Sequence, residues 1–201
     1  MIHFDFNQDY ILENEVALLR PLTLADFEHL KHWCVQTEIW KYSTLRCDSE
    51  EQMKNYITAA VTGREQEKEY PFVIIDKRTN TYAGCTRFYN IKLHQHNVSI
   101  GYTWYALEHQ GTGLNKNCKY LLFNFAFQQG FERVEFEADN DNSRSIAAMK
   151  SIGCTQEGVL RSHMIRLDGS RRDTIVLSLL KAEWELTLKE KLKSKLLQYK
   201  V

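Results

Sequence analysis

The stretch Tyr102-Thr-Trp-Tyr-Ala-Leu-Glu-His-Gln110-Gly-Thr-Gly113-Leu-Asn115-Lys-Asn117 decides how this chain folds. A strand pattern runs into a glycine-bearing turn, and a helical pattern leaves it. In such a turn the backbone N–H groups, with the unpaired donors of the helix's first turn, converge on a concave site for an anion. Glycines also let the main chain approach phosphates closely. The stretch therefore suggests a phosphate-binding loop, although glycines also start helices for turn geometry alone.

Two other phosphate-binding loops do not match the chain. It has no G-x-x-x-x-G-K-S/T segment, which is the signature of the NTPase loop. It also has no G-x-G-x-x-G on a first β-α unit, so a Rossmann dinucleotide site is unsupported.

The patterns on both sides of this stretch predict a mixed α/β domain. Ser49, with Gln52 three residues later, predicts the capped start of a helix, and the Asp168-Gly169 pair predicts a hairpin turn. The predicted strands are 16–20, 71–76, 82–91, 98–105, 133–138, 159–167 and 174–180. The predicted helices are 23–37, 49 to beyond 60, 114–130, 143–152 and 181 onwards.

The composition limits the class of protein. The net charge is zero, so direct nucleic-acid binding is not expected. No apolar run approaches the ~20 residues that span a bilayer, and residues 1–10 lack the order of a signal peptide, so we expect a cytoplasmic protein without a membrane partner. The five cysteines form no C-x-x-C pair, and His29 and His32 have no third ligand, so no metal site is expected.

The loop Gln110-Gly-Thr-Gly113-Leu-Asn115 resembles the Q/R-x-x-G-x-G/A loop of the GNAT acetyltransferases. Asn115 replaces the usual Gly or Ala, a departure common in the branch that acetylates the N-termini of ribosomal proteins. Further family segments follow in order over residues 16–184. They are Arg20-Pro-Leu-Thr23, Ile100-Gly-Tyr102, Glu135-Phe-Glu-Ala-Asp139, Asn142-Ser-Arg-Ser145, Gly153, Glu157-Gly-Val-Leu-Arg161 and Arg172-Asp-Thr174.

The resemblance implies a mixed α/β fold of the GNAT type. Its central sheet would be mostly antiparallel and twisted, with about seven strands, flanking helices and a splay between the two middle strands. Residues 1–184 would form the acetyltransferase domain and 185–201 an amphipathic helical extension. The apolar stripe of that extension could dock on the domain, on a second subunit in a homodimer, or on an acidic surface.

The resemblance also implies that acetyl-CoA binds as the co-substrate. The strand at 101–106 would pair its free backbone groups with the pantetheine arm, and the loop would wrap the pyrophosphate. Lys116, Lys119 and Lys150 either contact the adenosine phosphates or are solvated helix residues. The residues implied in cofactor binding are Tyr102, Thr103, Trp104, Tyr105, Gln110, Gly111, Thr112, Gly113, Leu114, Asn115, Asn142 and Ser145.

Acetyl transfer to an amine requires a neutral amine, a polarised carbonyl and a proton for the departing thiolate. Relatives often place a tyrosine acid where this chain has Met149, and a glutamate where it has Ser99. Ser145 matches a serine proposed as the acid in the ribosomal-protein branch, and it could equally be a plain cofactor contact. Histidine has a reference pKa of ~6.5 that suits a base, so His163 is the candidate base. The alternatives are that His163 is a packing residue and that a chain of water molecules takes the proton without a dedicated base.

The sequence therefore predicts an N-acetyltransferase that moves an acetyl group from acetyl-CoA to a primary amine. The favoured acceptor is a protein N-terminal amine, whose reference pKa of ~7.7–8 lies well below the ~10.4 of lysine. A small-molecule amine, such as a polyamine or an antibiotic, is the alternative acceptor. A non-catalytic module that binds an acyl-CoA is the alternative to an enzyme.

Overall fold

The computed structural model describes residues 2–45 and 47–199, and it places eight strands of this part of the chain in one sheet. Across the sheet the strands follow the order β1-β2-β3-β4-β5-β6-β8-β7. The strands are β1 (Leu12–Glu13), β2 (Ala17–Pro21), β3 (Tyr70–Asp76), β4 (Thr81–Lys92), β5 (Asn97–Tyr105), β6 (Arg133–Asp139), β7 (Thr155–Ile165) and β8 (Arg171–Leu180). The two-residue β1 is the strand that the sequence patterns did not predict.

The middle of the sheet is splayed, as predicted. All neighbouring strands pair antiparallel except β5 and β6, which are parallel. Only three residue pairs join β5 to β6, from Asn97–Arg133 to Ser99–Glu135. Beyond Ser99 the remaining residues of β5 pair only with β4, and the remaining residues of β6 pair only with β8. A V-shaped slot, which we call the splay, therefore opens between the two central strands.

The helices confirm most of the predicted elements. They are α1 (Phe27–Leu30), α2 (Thr37–Trp40), α3 (Glu50–Glu65), α4 (Leu114–Gln128), α5 (Ser143–Ser151), α6 (Lys181–Glu183) and α7 (Lys189–Leu196). Ser49 caps α3 by accepting a hydrogen bond from the backbone N–H of Gln52 at 3.3 Å. The Gln52 side chain accepts from the N–H of Asp48 instead of that of Ser49, so the predicted capping box is shifted by one residue.

The first predicted helix, 23–37, is wrong as one continuous element. The structure breaks it into the 3-10 turn Leu24–Asp26, α1, the 3-10 turn Lys31–Val35, and α2. Leu30 and Cys34 are nevertheless buried in one cluster with residues of α3. A helical period in the sequence does not distinguish these short pieces from a regular helix, because both repeat after three to four residues.

The sheet carries a hydrophobic core on each face. The smaller core joins α1 and α3 to one face and includes Met53, Ile57 and Trp104. The larger core joins α4, α5 and the C-terminal helices to the other face and is dominated by aromatic rings such as Phe88, Phe123 and Trp184. The splay therefore lies between two packed layers, which hold its walls in place.

The C-terminal helical segment packs on the larger core. Trp184, Leu192 and Leu196 are buried there, and α7 contacts α4. A π-helical stretch, Trp184–Leu188, joins α6 to α7. The last two residues of the predicted extension, 200 and 201, lie outside the described residues. Among the helices that the structure describes, none is both long and apolar enough to cross a membrane.

Candidate active site

The glycine-bearing turn of the deciding stretch follows β5 directly. A 3-10 turn, Leu107–His109, leads into it, and Gly111 and Gly113 have φ angles of +79° and +84°. Gly113 is the residue just before α4, so the free N–H groups of the first turn of α4 open beside it. A Cβ added to Gly111 would meet no atom within 4 Å, so the main chain of the turn is uncovered there. The turn is therefore open at Gly111, whereas a Cβ added to Gly113 would lie 2.3 Å from the ring of Tyr199, and anion binding at this turn stays a prediction.

An ionic network of Asp76, Arg78 and His109 is bonded to the backbone of this turn. Asp76, at the end of β3, forms an ion pair with Arg78 at 2.6 Å, and Arg78 Nη1 donates to the carbonyl of Thr112 at 3.1 Å. His109 Nδ1 lies 3.3 Å from Asp76 Oδ2. Burial alone would raise the pKa of Asp76, but the hydrogen bonds and charge of Arg78, together with His109, lower it below its usual value. The β3–β4 hairpin thereby fixes the turn.

The side chains of β5 fall into two groups. Trp104 and Tyr105 are buried in the two cores, so only their backbone groups face the splay edge. Tyr102 is 42% exposed and has a φ of +49°, and its carbonyl accepts a hydrogen bond from the Tyr56 hydroxyl at 3.3 Å. The pairing of β5 with β4 shifts register between Gly101 and Trp104, so a bulge lies at Tyr102. Thr103 hydrogen-bonds to Thr86 at 2.7 Å on the α4 side.

The start of α5 lies against the loop. Asn142 caps the helix, since its Oδ1 accepts from the backbone N–H of Ser145 at 3.1 Å. Arg144 Nη2 donates a short hydrogen bond to Gln110 Oε1, while Gln110 Nε2 donates to the carbonyl of Tyr105 at 2.8 Å. The structure therefore brings Asn142, Ser145 and the loop to the same end of the splay. Arg144, which links α5 to the loop, is a candidate site residue that the sequence interpretation did not single out.

Met149 and His163, by contrast, lie apart from the loop. Met149 is buried in the larger core. His163 is exposed on β7, which is the edge strand of the sheet and is separated from β6 by β8. At ~4.8 Å per strand, that places β7 about 10 Å from β6. A bulge in β7 surrounds His163, and the carboxylate of Asp173 holds this bulge by accepting from the N–H of Ser162 at 2.6 Å.

A cavity of about 600 Å³ opens on the α3 side of the bulge at Tyr102. Arg87 lies beside this cavity, 4.2 Å from the ring of Tyr102 and 2.8 Å from the carboxylate of Glu69. The lining residues are Asn55, Thr58, Ala59, Thr62, Gly63, Gln66, Lys68, Glu69, Tyr89, Asn90 and Tyr102. Trp40, the last residue of α2, packs 5.2 Å from Trp104 and is buried. The cavity lies across β5 from α4.

Comparison with known proteins identifies the class to which this splayed sheet and its loop belong. Residues 17–155 match the family model described as the acetyltransferase (GNAT) domain, and this match covers more than two thirds of the chain. The chain therefore belongs to the GNAT family and is an acetyl-CoA-dependent acyltransferase.

Particular relatives are similar in sequence, and one solved structure is similar in fold. An uncharacterized N-acetyltransferase, p20 of Bacillus licheniformis, is 25% identical over 175 residues, which are 86% of this chain and 97% of p20. YdaF of Bacillus subtilis strain 168, provisionally named as a ribosomal N-acetyltransferase, is 32% identical over 103 residues, covering 51% of this chain and 55% of YdaF. The crystal structure of a provisionally named acetyltransferase from T. thermophilus has a TM-score of 0.84 at 27% identity, and the match covers 98% of this chain and all of that one.

Proposed function

We propose that this acetyltransferase transfers the acetyl group of acetyl-CoA to the N-terminal amine of a protein. The observation that carries the proposal is the splay, in which β5 and β6 share three residue pairs and then leave their facing backbone groups unpaired. The provisional name of YdaF supports a protein N-terminus as the acceptor. The cavity beside Tyr102 supports an acceptor that approaches from the α3 side.

The residues present fit the cofactor. The uncovered main chain at Gly111 and the free N–H groups of α4 suit the pyrophosphate. The Oδ1 atom of Asn115 is buried without a hydrogen-bond partner, and it suits a donor of the bound molecule. The backbone of 101–105 would hold the pantetheine arm, with Asn142 and Ser145 at the other wall. When bound, acetyl-CoA supplies an activated acetyl group to which an amine adds.

The favoured acceptor needs little help from a base. With a reference pKa of ~7.7–8, an N-terminal amine is substantially neutral near pH 7.5, whereas a lysine amine at ~10.4 is almost entirely charged. An exposed His163 on the edge strand is compatible with proton release to water, and its role as a base stays a prediction. An N-terminal acceptor therefore does not require a dedicated carboxylate base at the splay.

A thiol-release assay tests the acceptor class. We expect free CoA to appear with peptides that carry a free N-terminus. The same peptides with a blocked N-terminus and an internal lysine serve as the matched control, and polyamines and aminoglycosides test small-molecule amines. Calorimetry with CoA is done first. Binding of CoA with no turnover on any peptide would contradict the proposed acceptor, and release of CoA only with small amines would replace it.

Arg144→Gln is expected to weaken CoA binding about tenfold at low salt, because a charge-assisted hydrogen bond contributes roughly 1.5–3 kcal/mol. The guanidinium lies at the loop that is proposed to hold the pyrophosphate, and added salt should shrink the difference from the wild type. Isothermal titration at two salt concentrations measures both effects. The exposed Lys193→Gln variant removes a positive charge elsewhere and should leave the affinity unchanged. Equal affinities for Arg144→Gln and the wild type would remove Arg144 from the cofactor site.

Ser145→Ala is expected to weaken CoA binding about fivefold, which corresponds to one neutral hydrogen bond, and to leave kcat within about threefold of the wild type. This result would identify Ser145 as a cofactor contact, which is one of the two roles that the sequence leaves open. Steady-state kinetics with saturating peptide, alongside calorimetry, separates the two quantities. A large fall in kcat at unchanged CoA affinity would instead assign the acid role to Ser145.

A further inference from the structure

Lys119 lies within the splay, although the sequence suggested a surface lysine of α4. The residue is only 5% exposed. Its Nζ donates to Thr103 Oγ1 at 3.3 Å and lies 5.0 Å from the centre of the Phe136 ring. Thr103 belongs to β5, and Phe136 is the first residue of β6 after the last pair between the two strands, Ser99–Glu135. The amino group therefore contacts both walls beyond their last pair, at the first unpaired residue of β6 and at Thr103, four residues beyond Ser99 on β5.

The ammonium of Lys119 has no carboxylate to balance it in the part of the chain that the structure describes. The titratable groups that face it are the thiols of Cys118 on α4 and Cys154 on the turn after α5. Burial raises the pKa of each of these thiols to about 12, so both are uncharged near neutral pH. Its hydrogen-bond acceptor, Thr103, is neutral and also bonds to Thr86. A buried cation without a partner costs free energy unless something else compensates it.

Burial also lowers the pKa of Lys119 to about 8. Near pH 7 the side chain therefore remains mostly charged, yet it releases a proton far more readily than an ordinary lysine, whose reference pKa is ~10.4. A group whose pKa lies near the working pH is suited to general acid catalysis. Met149 has no proton to give, and a serine hydroxyl is a much weaker acid than this ammonium.

We infer that Lys119 is the proton donor to the sulfur of CoA when the acetyl group leaves. The inference rests on the proposed function, because the splay has to hold the thioester arm. In the transfer, the acceptor nitrogen forms a bond to the acetyl carbon, the bond from that carbon to sulfur breaks, and its electron pair stays on sulfur. A proton moves from Lys119 Nζ to the sulfur, which leaves a thiol and a neutral lysine amine. The acceptor nitrogen loses its proton to water, and water returns one to Lys119.

Kinetics of two variants test the proton transfer. Lys119→Met keeps the shape and removes the proton, so kcat should fall roughly a hundredfold, as expected for the loss of a general acid. Lys119→Arg keeps the charge but holds its proton too tightly, so kcat should also fall. The wild-type kcat should decline above about pH 8, and this decline should be absent in both variants. The exposed Lys193→Met variant, a matched loss of a lysine, should follow the wild type.

Binding of CoA provides a readout that does not depend on turnover. The thiolate of CoA absorbs in the ultraviolet, so its ionisation can be titrated while it is bound. Bound CoA should ionise at lower pH in the wild type than in Lys119→Met, because the ammonium stabilises the thiolate. Desulfo-CoA, which lacks the sulfur, should bind equally to both proteins. Wild-type kcat in Lys119→Met, or an unchanged thiol titration, would overturn the assignment.

The pH dependence of stability shows whether Lys119→Met is folded and whether the lysine is buried as described. Because the pKa of Lys119 is lower in the folded than in the unfolded chain, the unfolded chain binds more protons between about pH 8 and its ordinary value of 10.5. The wild type should therefore gain stability relative to Lys119→Met as the pH rises through that window. If Lys119→Met does not fold, Lys119→Arg and the wild-type thiol titration decide the question. If the wild type binds no CoA, the proposed function fails as well.

Discussion

Replacing Asp76 with alanine is expected to lower the free energy of unfolding by about 3–5 kcal/mol, the usual cost of breaking a buried ion pair on one side. The Asp76 side chain is 3% exposed and accepts from Arg78 at 2.6 Å. Without the carboxylate, the guanidinium of Arg78 and the ring of buried His109 would lose their shared partner. Since Arg78 also holds the carbonyl of Thr112, the loop should loosen and CoA should bind more weakly.

Urea denaturation and calorimetry with CoA measure these two effects of Asp76→Ala. The control is Glu13→Ala, which breaks the neighbouring exposed ion pair with Lys77 and should cost less than about 1 kcal/mol. The pKa of Asp76 is lower in the folded chain than in the unfolded chain. The carboxylate therefore stabilises the fold at pH values above its pKa in the unfolded chain, and this stabilisation is lost as the pH falls through its pKa in the folded chain. A stability for Asp76→Ala equal to that of Glu13→Ala would contradict the role of the network.

Gly84→Ala is expected to cost about 3 kcal/mol or more. The φ of Gly84 is +154°, and an added Cβ would lie 2.0 Å from the backbone oxygen of Trp104. A backbone atom cannot rotate away, so β5 would have to move, and overpacking and backbone strain each cost roughly 1–3 kcal/mol. Gly84 pairs with Tyr105, the last residue of β5 before the loop. The substitution should therefore weaken CoA binding as well as folding.

Gly158→Ala is the matched control for this substitution. Gly158 lies in the hairpin strand β7, and a Cβ added there would meet no atom within 4 Å. We expect its stability to remain within about 0.5 kcal/mol of the wild type. Thermal and urea denaturation of the two variants make the comparison. Equal stabilities for Gly84→Ala and Gly158→Ala would show that β4 and β5 can separate without cost.

Much of the fold was predictable because its signals are local. The strand, glycine turn and helix around Gln110 are contiguous, so the order of their patterns predicted the loop between β5 and α4. Alternating apolar residues likewise predicted β6, and the cap at Ser49 predicted the start of α3. The splay and the identity of the cofactor came from the resemblance to a family, since no local pattern specifies them.

The parts of the site that sequence reasoning missed depend on contacts between distant segments. Asp76 appeared only as the end of a predicted strand and Arg78 was not singled out, since nothing in their neighbourhood points to Thr112, 34 residues away from Arg78. Lys119 appeared as one of several helix lysines, because the helical period does not show which residue the far wall of the splay covers. Arg144 was not singled out either, because its partner Gln110 is 34 residues away in the chain.

By itself, then, the sequence determined the succession of elements, the open turn after β5 and the kind of chemistry that such a turn serves, because hydrophobic period, glycine conformation and capping act over a few residues. The tertiary structure alone decided which charges are buried and what they face. The pKa of Lys119 is lowered by burial among segments that are remote in the chain. The pKa of Asp76 is lowered mainly by Arg78, two residues away, whose guanidinium the fold also places on the carbonyl of Thr112.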